Sequence, residues 1–245
     1  MISVCLASYN GEKYIRAQIQ SILSQLNTDD ELIISDNYST DSTLEIIESF
    51  NDSRIKVVMC NRPERKLRSK IQKDKNITNN FENALRACKG DYIFLSDQDD
   101  IWFDKKIDKQ KPLLDKYELV MSNATIIDSL GNIVKEKLYE KNPLRKGLFS
   151  FRARGCLYSF RRELLDIALP IPKTVFSHDL WLIILAEYRK SFLFFDEPLV
   201  YHRRGIGNAS TDVTEKSKNK LWFKIYYRIE LLFDGFIRII NRSMK

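Results

Sequence analysis

Residues 89–102 read Lys-Gly-Asp-Tyr-Ile-Phe-Leu-Ser-Asp-Gln-Asp-Asp-Ile-Trp, and no other stretch restricts the fold as much. Tyr92 to Leu95 is a short apolar run behind Gly90, the pattern of a fully buried strand. Asp97, Asp99 and Asp100 follow at once. Three carboxylates at one strand end repel each other, and in an open α/β sheet that end is where ligands bind. A hard cation with oxygen ligands, and a phosphate on its far side, removes the repulsion. The same residues also fit an acidic turn capping a helix that starts near Ile101. The surrounding chain bears on the choice.

Upstream, Ile2 to Ala7 reads as a strand and Ser8-Tyr9-Asn10-Gly11 as a turn. Tyr14 to Leu26 follows, with Ile15, Ile19, Ile22, Leu23 and Leu26 on one helical face. Glu31 to Ser35 is the next strand and ends in Asp36-Asn37-Tyr38-Ser39-Thr40-Asp41; a helix from Ser42 to Phe50 and a strand from Ile55 to Met59 come after it. Strands alternating with helices imply a parallel sheet with right-handed crossovers. Residues 61–76 crowd Arg62, Arg65, Lys66, Arg68, Lys70, Lys73 and Lys75 into a run with few apolar residues. It reads either as a solvated basic loop or as a mobile loop that meets a diphosphate. Asn79 to Cys88 is then a helix leading into the acidic strand.

Downstream, Lys105 to Tyr117 reads as a helix interrupted near Pro112, Glu118 to Asn123 as a strand, and Thr125 to Ile133 as an extended turn-and-strand segment. Gly155 to Phe160 is expected as a strand and Arg161 to Ala168 as a helix. Ser177-His178-Asp179 stands at the start of an apolar helix ending at Tyr188. Phe192 to Phe195 and Pro198 to His202 are extended. The last segment, Lys220 to Arg242, is an amphipathic helix. Lys220, Lys224, Arg228, Arg238 and Arg242 fall on one side. Leu221, Trp222, Ile225, Ile229, Leu232, Phe233, Phe236, Ile239 and Ile240 fall on the other, and Leu231 is an exception on the basic side. Such a helix either lies on a membrane surface or docks on its own domain. The expected division is a main domain over 1–210 and a basic helical tail over 211–245.

Composition removes several classes. A chain of 245 residues with eight glycines has neither G-x-G-x-x-G nor a P-loop. Cys5, Cys60, Cys88 and Cys156 are scattered without a C-x-x-C pair, so neither a zinc site nor a disulfide framework is suggested, and reduced thiols in a cytoplasmic compartment fit. With a strand expected from Ile2, no signal peptide is expected, and no apolar run approaches a membrane span. Ten Lys and Arg against four Asp and Glu lie in residues 201–245, whereas the first 200 residues are nearly balanced at 30 against 29. The continuous apolar face of the tail argues against nucleic acid as its partner.

Four elements are expected to converge at the strand ends: Ser8-Tyr9-Asn10, Asp36-Asn37, Asp97-Gln98-Asp99 and His178-Asp179. Tyr9 can stack on a base, and Asp36 or Asn37 can hydrogen-bond a base or ribose. Asp97 and Asp99 can hold Mg²⁺ or Mn²⁺ on a diphosphate, and Asp179 can take a proton. Singly, each is more often a turn or cap residue; their joint order carries the signal. With only His178 and His202 in the chain, a hydrolase triad has few candidates.

Over residues 2–210 the chain resembles the inverting family 2 glycosyltransferases of GT-A fold, and within them the bacterial rhamnosyltransferase-like polysaccharide group. The resemblance is carried by Val4 to Gly11, Ile34 to Thr43, Asn80 to Leu85, Gly90 to Trp102, Gly155-Cys156 and His178-Asp179-Leu180-Trp181. It implies an α/β GT-A fold, Rossmann-like, with a mostly parallel central sheet flanked by helices. It implies that Ala7, Tyr9, Asp36 and Asn37 sit against the nucleoside and that Asp97 and Asp99 form the D-x-D motif, with Asp99 the direct metal ligand. It further implies that Asp179 is the general base and that Gly155 and Cys156 line the sugar or acceptor side. The implied cofactor is Mn²⁺ or Mg²⁺. The implied partners are a nucleotide-diphosphate sugar donor and a saccharide or lipid-linked acceptor, met in the cytoplasm or at the inner face of the membrane. The basic amphipathic tail lies beyond the resemblance; its pattern matches a lipid-linked acceptor and makes residues 219–245 an expected peripheral membrane contact.

Two departures stand out. The family's second-strand motif usually reads Asp-Asp-Gly-Ser, and here it is Asp36-Asn37-Tyr38-Ser39. Relatives often carry Tyr-Arg-Gln-His after the last core strand; aligning Arg203 with that Arg puts Gly205 at the His position and leaves His202 as a candidate metal or diphosphate contact. Two rival readings share the acidic strand end: a metal-dependent phosphohydrolase or nucleotidyltransferase, and a catalytically degenerate nucleotide-sugar-binding scaffold.

Overall fold

Apolar runs too continuous for a sheet with one wet face form the centre of the molecule. β1 (Ile2–Ser8), β2 (Glu31–Asp36) and β4 (Tyr92–Asp97) are buried along almost their whole lengths, as strands covered on both faces must be. The computed structural model describes residues 1–60, 70–146, 154–204 and 221–243. With β3 (Ile55–Met59), β5 (Ile101–Trp102), β6 (Leu119–Ile127), β7 (Ile133–Lys135), β8 (Tyr158–Arg161) and β9 (Phe192–Arg203), these strands make one nine-stranded sheet. Its order is β3-β2-β1-β4-β8-β6-β9-β5, with β7 beside β6.

The helices are α1 (Ile15–Leu23), α2 (Thr43–Glu48), α3 (Lys70–Ala87), α4 (Lys106–Gln110), α5 (Arg162–Ala168), α6 (His178–Tyr188) and α7 (Leu221–Ser243). β3, β2, β1 and β4 are mutually parallel, as strand–helix–strand connections require. β8 then runs antiparallel to both β4 and β6, and β6 pairs parallel with β9. Ile15, Ile19 and Ile22 of α1 and Phe81, Ala84 and Leu85 of α3 are essentially fully buried, so the expected apolar faces are the ones that form the core.

Several boundaries differ from the sequence reading. No helix starts at Ile101; Ile101 and Trp102 pair with Tyr201 and Val200 instead, which removes the helix-cap reading of the acidic turn. α3 begins at Lys70, so Lys73 and Lys75 are helical; residues 61–69, with the rest of the basic run, lie outside the described residues. Gly155–Leu157 is a 3-10 turn, and the strand starts only at Tyr158. β9 is one strand whose register jumps from Phe195 to Pro198 against Ser122 and Asn123. Pro198 has no N–H to give the ladder, so a bulge there is the economical solution.

α7 docks on the domain by its basic side. Leu231, the apolar exception on that side, is 1% exposed. Arg238 donates to the carbonyls of Ile167, Leu169 and Pro170 and lies over the Trp181 ring.

Candidate active site

Parallel pairing brings the first three motifs to one rim. Ala7 is in register with Asp97, and Ser8 with Asp36. Because β8 is antiparallel to β4, the turn Gly155–Leu157 that enters it lies at the same rim. The pairing of β5 with β9 brings Asp99 and Asp100 against His202 and Arg203.

Asp100 is buried, and its two oxygens lie 2.9 and 3.1 Å from His202 Nδ1. The Arg203 N–H donates to it at 3.0 Å. Burial works against ionisation, but the His202 ring and the Arg203 N–H hold the carboxyl below its usual range. Asp97 and Asp99 are in the opposite position. Desolvation, and then the neighbouring Asp100 charge, push both carboxyls up to about 7. A pair of carboxyls held in conflict with their surroundings fits a hard cation, and the all-oxygen donor pair suits Mg²⁺ or Mn²⁺. His202 is a less simple ligand. Its Nδ1 is engaged with Asp100, and it lies 3.8 Å from the Cys156 sulfur. Asp100, Cys156 and His202 bring their ligand atoms within 4.8 Å of one another, a softer donor set than Asp97 with Asp99.

At the end of β1, Tyr9 is 37% exposed. Gln98 pins its backbone from both sides: Oε1 accepts the Tyr9 N–H at 2.8 Å and Nε2 donates to the Tyr9 carbonyl at 3.0 Å. A Cβ on Gly11 would stand 2.5 Å from Gln98 Oε1, so glycine is what lets the acidic turn clasp this loop. Asp36 is fully buried and accepts hydrogen bonds from Ser8 Oγ at 2.8 Å and from the Ser39 N–H and Oγ, both at 2.7 Å. Its oxygens are spent on the turn. The side chain of Asn37 has no hydrogen bond among the described residues, which leaves its amide as the group able to read a base. Tyr38 takes a φ of 60°, the left-handed backbone a glycine would adopt more easily.

Asp179 stands in the first turn of α6, where the helix dipole favours a carboxylate. Its Oδ1 accepts from Ser177 Oγ and from the Leu180 N–H at 2.8 Å. Among the described residues nothing hydrogen-bonds the other oxygen, so that lone pair is open to a substrate proton. α3 fixes the start of α6: Thr78 Oγ1 accepts the His178 N–H at 3.2 Å, and Phe81 stacks on the His178 ring. A Cβ on Gly155 would lie 2.8 Å from His178 Nε2 and 3.5 Å from Asp179 Cβ. Gly155 and Cys156 therefore link the candidate base to the acidic cluster. Facing that cluster is cationic chain: burial, and then the neighbouring Arg154, push the Arg204 guanidinium down.

The glycosyl transferase family 2 pattern matches residues 3–183, and the chain belongs to that family. It is 28% identical over 239 residues to the dTDP-rhamnosyl transferase RfbG of Shigella flexneri, covering 88% of this chain and 77% of that one. It is 30% identical over 201 residues to the UDP-Glc:alpha-D-GlcNAc-diphosphoundecaprenol beta-1,3-glucosyltransferase WfgD of Escherichia coli, covering 76% of this chain and 70% of the other. Among solved structures, S. aureus TarS 1-349 in complex with UDP superposes with a TM-score of 0.67 at 19% identity over 96% of this chain and 64% of that one. Glucosyl-3-phosphoglycerate synthase from Mycobacterium tuberculosis, in complex with Mn²⁺, UDP and glucosyl-3-phosphoglycerate, gives 0.57 at 20% identity over 97% and 78%. The fold is GT-A.

Sequence reasoning missed Gln98, Arg154 and Arg204. Gln98 is the spacer of the acidic motif and looked inert; its clasp on Tyr9 depends on strand order. Gly205 lies outside the described residues. Gln98→Ala is expected to weaken donor binding about tenfold, because two hydrogen bonds holding the Tyr9 loop are lost. Titration calorimetry with the nucleotide reads it, and an unchanged affinity would dissociate Tyr9 from the donor.

A pH dependence follows from Asp97 and Asp99. In the unfolded chain both titrate near 4, and in the metal-free fold near 7. Between those values the folded chain binds more protons, so metal-free stability falls as pH rises from about 4 to about 7. Cation uptake must displace those protons, so affinity is expected to rise with pH and level off above about 7. Calorimetry in two buffers of different ionisation enthalpy measures the protons released; none released near pH 6 would exclude these two as ligands.

Proposed function

We propose that the chain is a metal-dependent inverting glycosyltransferase that moves a sugar from a nucleotide-diphosphate donor to a saccharide or lipid-linked acceptor in bacterial cell-surface polysaccharide synthesis. The observation that carries this is the row Asp97, Cys156, Gly155, Asp179: a cation-seeking carboxyl cluster joined by two small residues to a carboxylate with one open oxygen. Inversion is a single in-line displacement. Asp179 takes the acceptor hydroxyl proton as the oxygen attacks the anomeric carbon, and the nucleoside diphosphate leaves. Asp97 and Asp99 would hold Mn²⁺ or Mg²⁺, which when bound would supply charge neutralisation for the diphosphate leaving group. Arg154 and Arg204 face the same anion, and Tyr9 and Asn37 meet the nucleoside. Rhamnose from dTDP-rhamnose is the first donor to test, supported by the likeness to RfbG. The diphosphoundecaprenol in the WfgD name supports a lipid-linked acceptor; no described helix is long and apolar enough to cross a membrane.

The test is a thermal-shift screen of dTDP-rhamnose, UDP-glucose, UDP-galactose, UDP-N-acetylglucosamine and GDP-mannose, each with and without Mn²⁺. A ligand of the folded state raises the melting temperature by mass action. A metal-dependent shift with one donor, followed by transfer that releases the nucleoside diphosphate, is the expected result. Pyrophosphate release from a nucleoside triphosphate would point to nucleotidyl transfer instead. Donor binding without turnover on any acceptor would point to a scaffold.

A further inference from the structure

The C-terminal helix turns its apolar side to solvent. α7 meets the domain through Tyr227 and Leu231, which are 7% and 1% exposed, and through Gly235, where a Cβ would come within 3.0 Å of Ile184 and Tyr188. On the opposite side Trp222, Tyr226, Ile229, Phe233 and Phe236 are 65, 57, 54, 63 and 50% exposed. With Ile225, Ile237 and Ile240 they fill a stripe about 120° wide at 100° per residue, along a helix of 23 residues that is about 35 Å long. A helix that docks by its basic side and exposes its aromatic side is inverted for water alone.

We infer that this stripe lies in the surface of an anionic lipid bilayer. The inference rests on the reading of a lipid-linked acceptor. Three observations favour lipid over a second copy of the chain. The stripe is too broad for a two-stranded seam, and Ile225 and Ile237 occupy flanks where such a seam carries charges. Trp222 and Tyr226 share one end of the helix, and these rings prefer the membrane–water boundary. The net positive charge of the chain is concentrated in residues 201–245, ten Lys and Arg against four Asp and Glu; the helix's own basic side faces the domain, so this charge attracts acidic headgroups across the helix, over about one Debye length, and not by contact.

The docked side of the helix also reaches the candidate base. Tyr227 stacks on Phe176 at 3.8 Å between ring centres, and its hydroxyl accepts the Phe176 N–H at 3.3 Å. Asp234 accepts from Thr174 Oγ1 at 2.6 Å. These residues lead directly into Ser177-His178-Asp179. Seating α7 on the bilayer therefore sets Asp179 at a fixed orientation to the surface from which the acceptor comes.

The full chain supplies its own reporter. Trp102 and Trp181 are 3% and 0% exposed, so a change in tryptophan emission on adding vesicles reports Trp222. With vesicles of phosphatidylcholine and phosphatidylglycerol at about seven to three, the emission is expected to shift to the blue and the protein to co-sediment. Pure phosphatidylcholine should bind more weakly, and salt should weaken binding to the anionic vesicles. The double substitution Ile229→Glu with Phe233→Glu is expected to lower vesicle partitioning at least tenfold, roughly the effect of placing charge in the apolar layer. Its melting temperature and donor affinity should stay those of the parent, since both sites are exposed. No shift and no co-sedimentation with either vesicle overturns the inference. So does a concentration-dependent dimer that the double substitution dissolves without any vesicle binding, which would make the stripe a self-interface. Either failure accompanied by intact donor binding and turnover leaves the enzymatic reading in place. Vesicle binding without any donor binding sinks that reading and keeps the surface.

Discussion

Asp99→Asn is expected to abolish the Mn²⁺-dependent part of donor binding while the protein stays folded. The substitution keeps shape and removes charge. In the metal-free chain that charge is disfavoured, since burial and Asp100 push the carboxyl up to about 7. At pH 8 the variant should therefore melt at the parent temperature or a few degrees above it. With Mn²⁺ and the cognate donor, the parent's melting shift should disappear, and kcat/KM should fall about a hundredfold or more. Asp100 supplies the contrast. It is buried against His202 and accepts the Arg203 N–H, so Asp100→Ala strips a satisfied partner from a buried ring and is expected to cost about 3–5 kcal/mol of stability. Thermal melts of both variants, with and without Mn²⁺, separate a binding carboxylate from a structural one. If Asp99→Asn keeps the metal-dependent shift, the cation is held elsewhere, and Asp100 with Cys156 and His202 is the next set to test.

The parallel half of the sheet was legible because each strand is a short apolar run that stops at a polar turn. Once β1, β2 and β4 are strands in parallel order, Tyr9, Asp36 and Asp97 must share a rim, and their register shows that they do. The place of Asp179 in the first turn of α6 was legible for a similar reason, as an acid at the start of an apolar run. What could not be read is whatever depends on partners distant in sequence. Asp36 and Asn37 look equivalent in the chain, but Ser8 and Ser39 consume the first and leave the second. The short strand at Ile101 exists only because β9 comes alongside; alone, two residues carry no periodicity. The amphipathicity of α7 was plain, but which side would dock was not. Leu231 and the carbonyls that receive Arg238 decided it, and a helical wheel treats the one as an exception and contains nothing of the other. Gln98 was hidden because a spacer residue acquires meaning only from the loop it touches.

Asp179→Asn is expected to reduce turnover about a thousandfold or more while leaving donor affinity and melting temperature close to those of the parent. General-base assistance contributes on this scale, and His178 beside it is a poor substitute: it is buried, stacked on Phe81, and held down in basicity by that burial. The amide can still accept from Ser177 and from the Leu180 N–H through its oxygen, so the first turn of α6 should persist. It cannot accept the acceptor's proton. The loss should therefore appear in kcat at saturating donor, with little change in donor KM, because the interaction is made only as the acceptor attacks. Ser177→Ala gives a graded comparison. It removes the hydroxyl that orients Asp179 Oδ1 but leaves the carboxylate, and a drop of about tenfold is expected. The order of the two effects is the discriminating result. A larger loss for Ser177→Ala would mean that the loop's geometry matters and the carboxylate does not. Full turnover in Asp179→Asn would move the base away from α6 altogether, and with it the argument that Gly155 and Cys156 join base and diphosphate in one cleft.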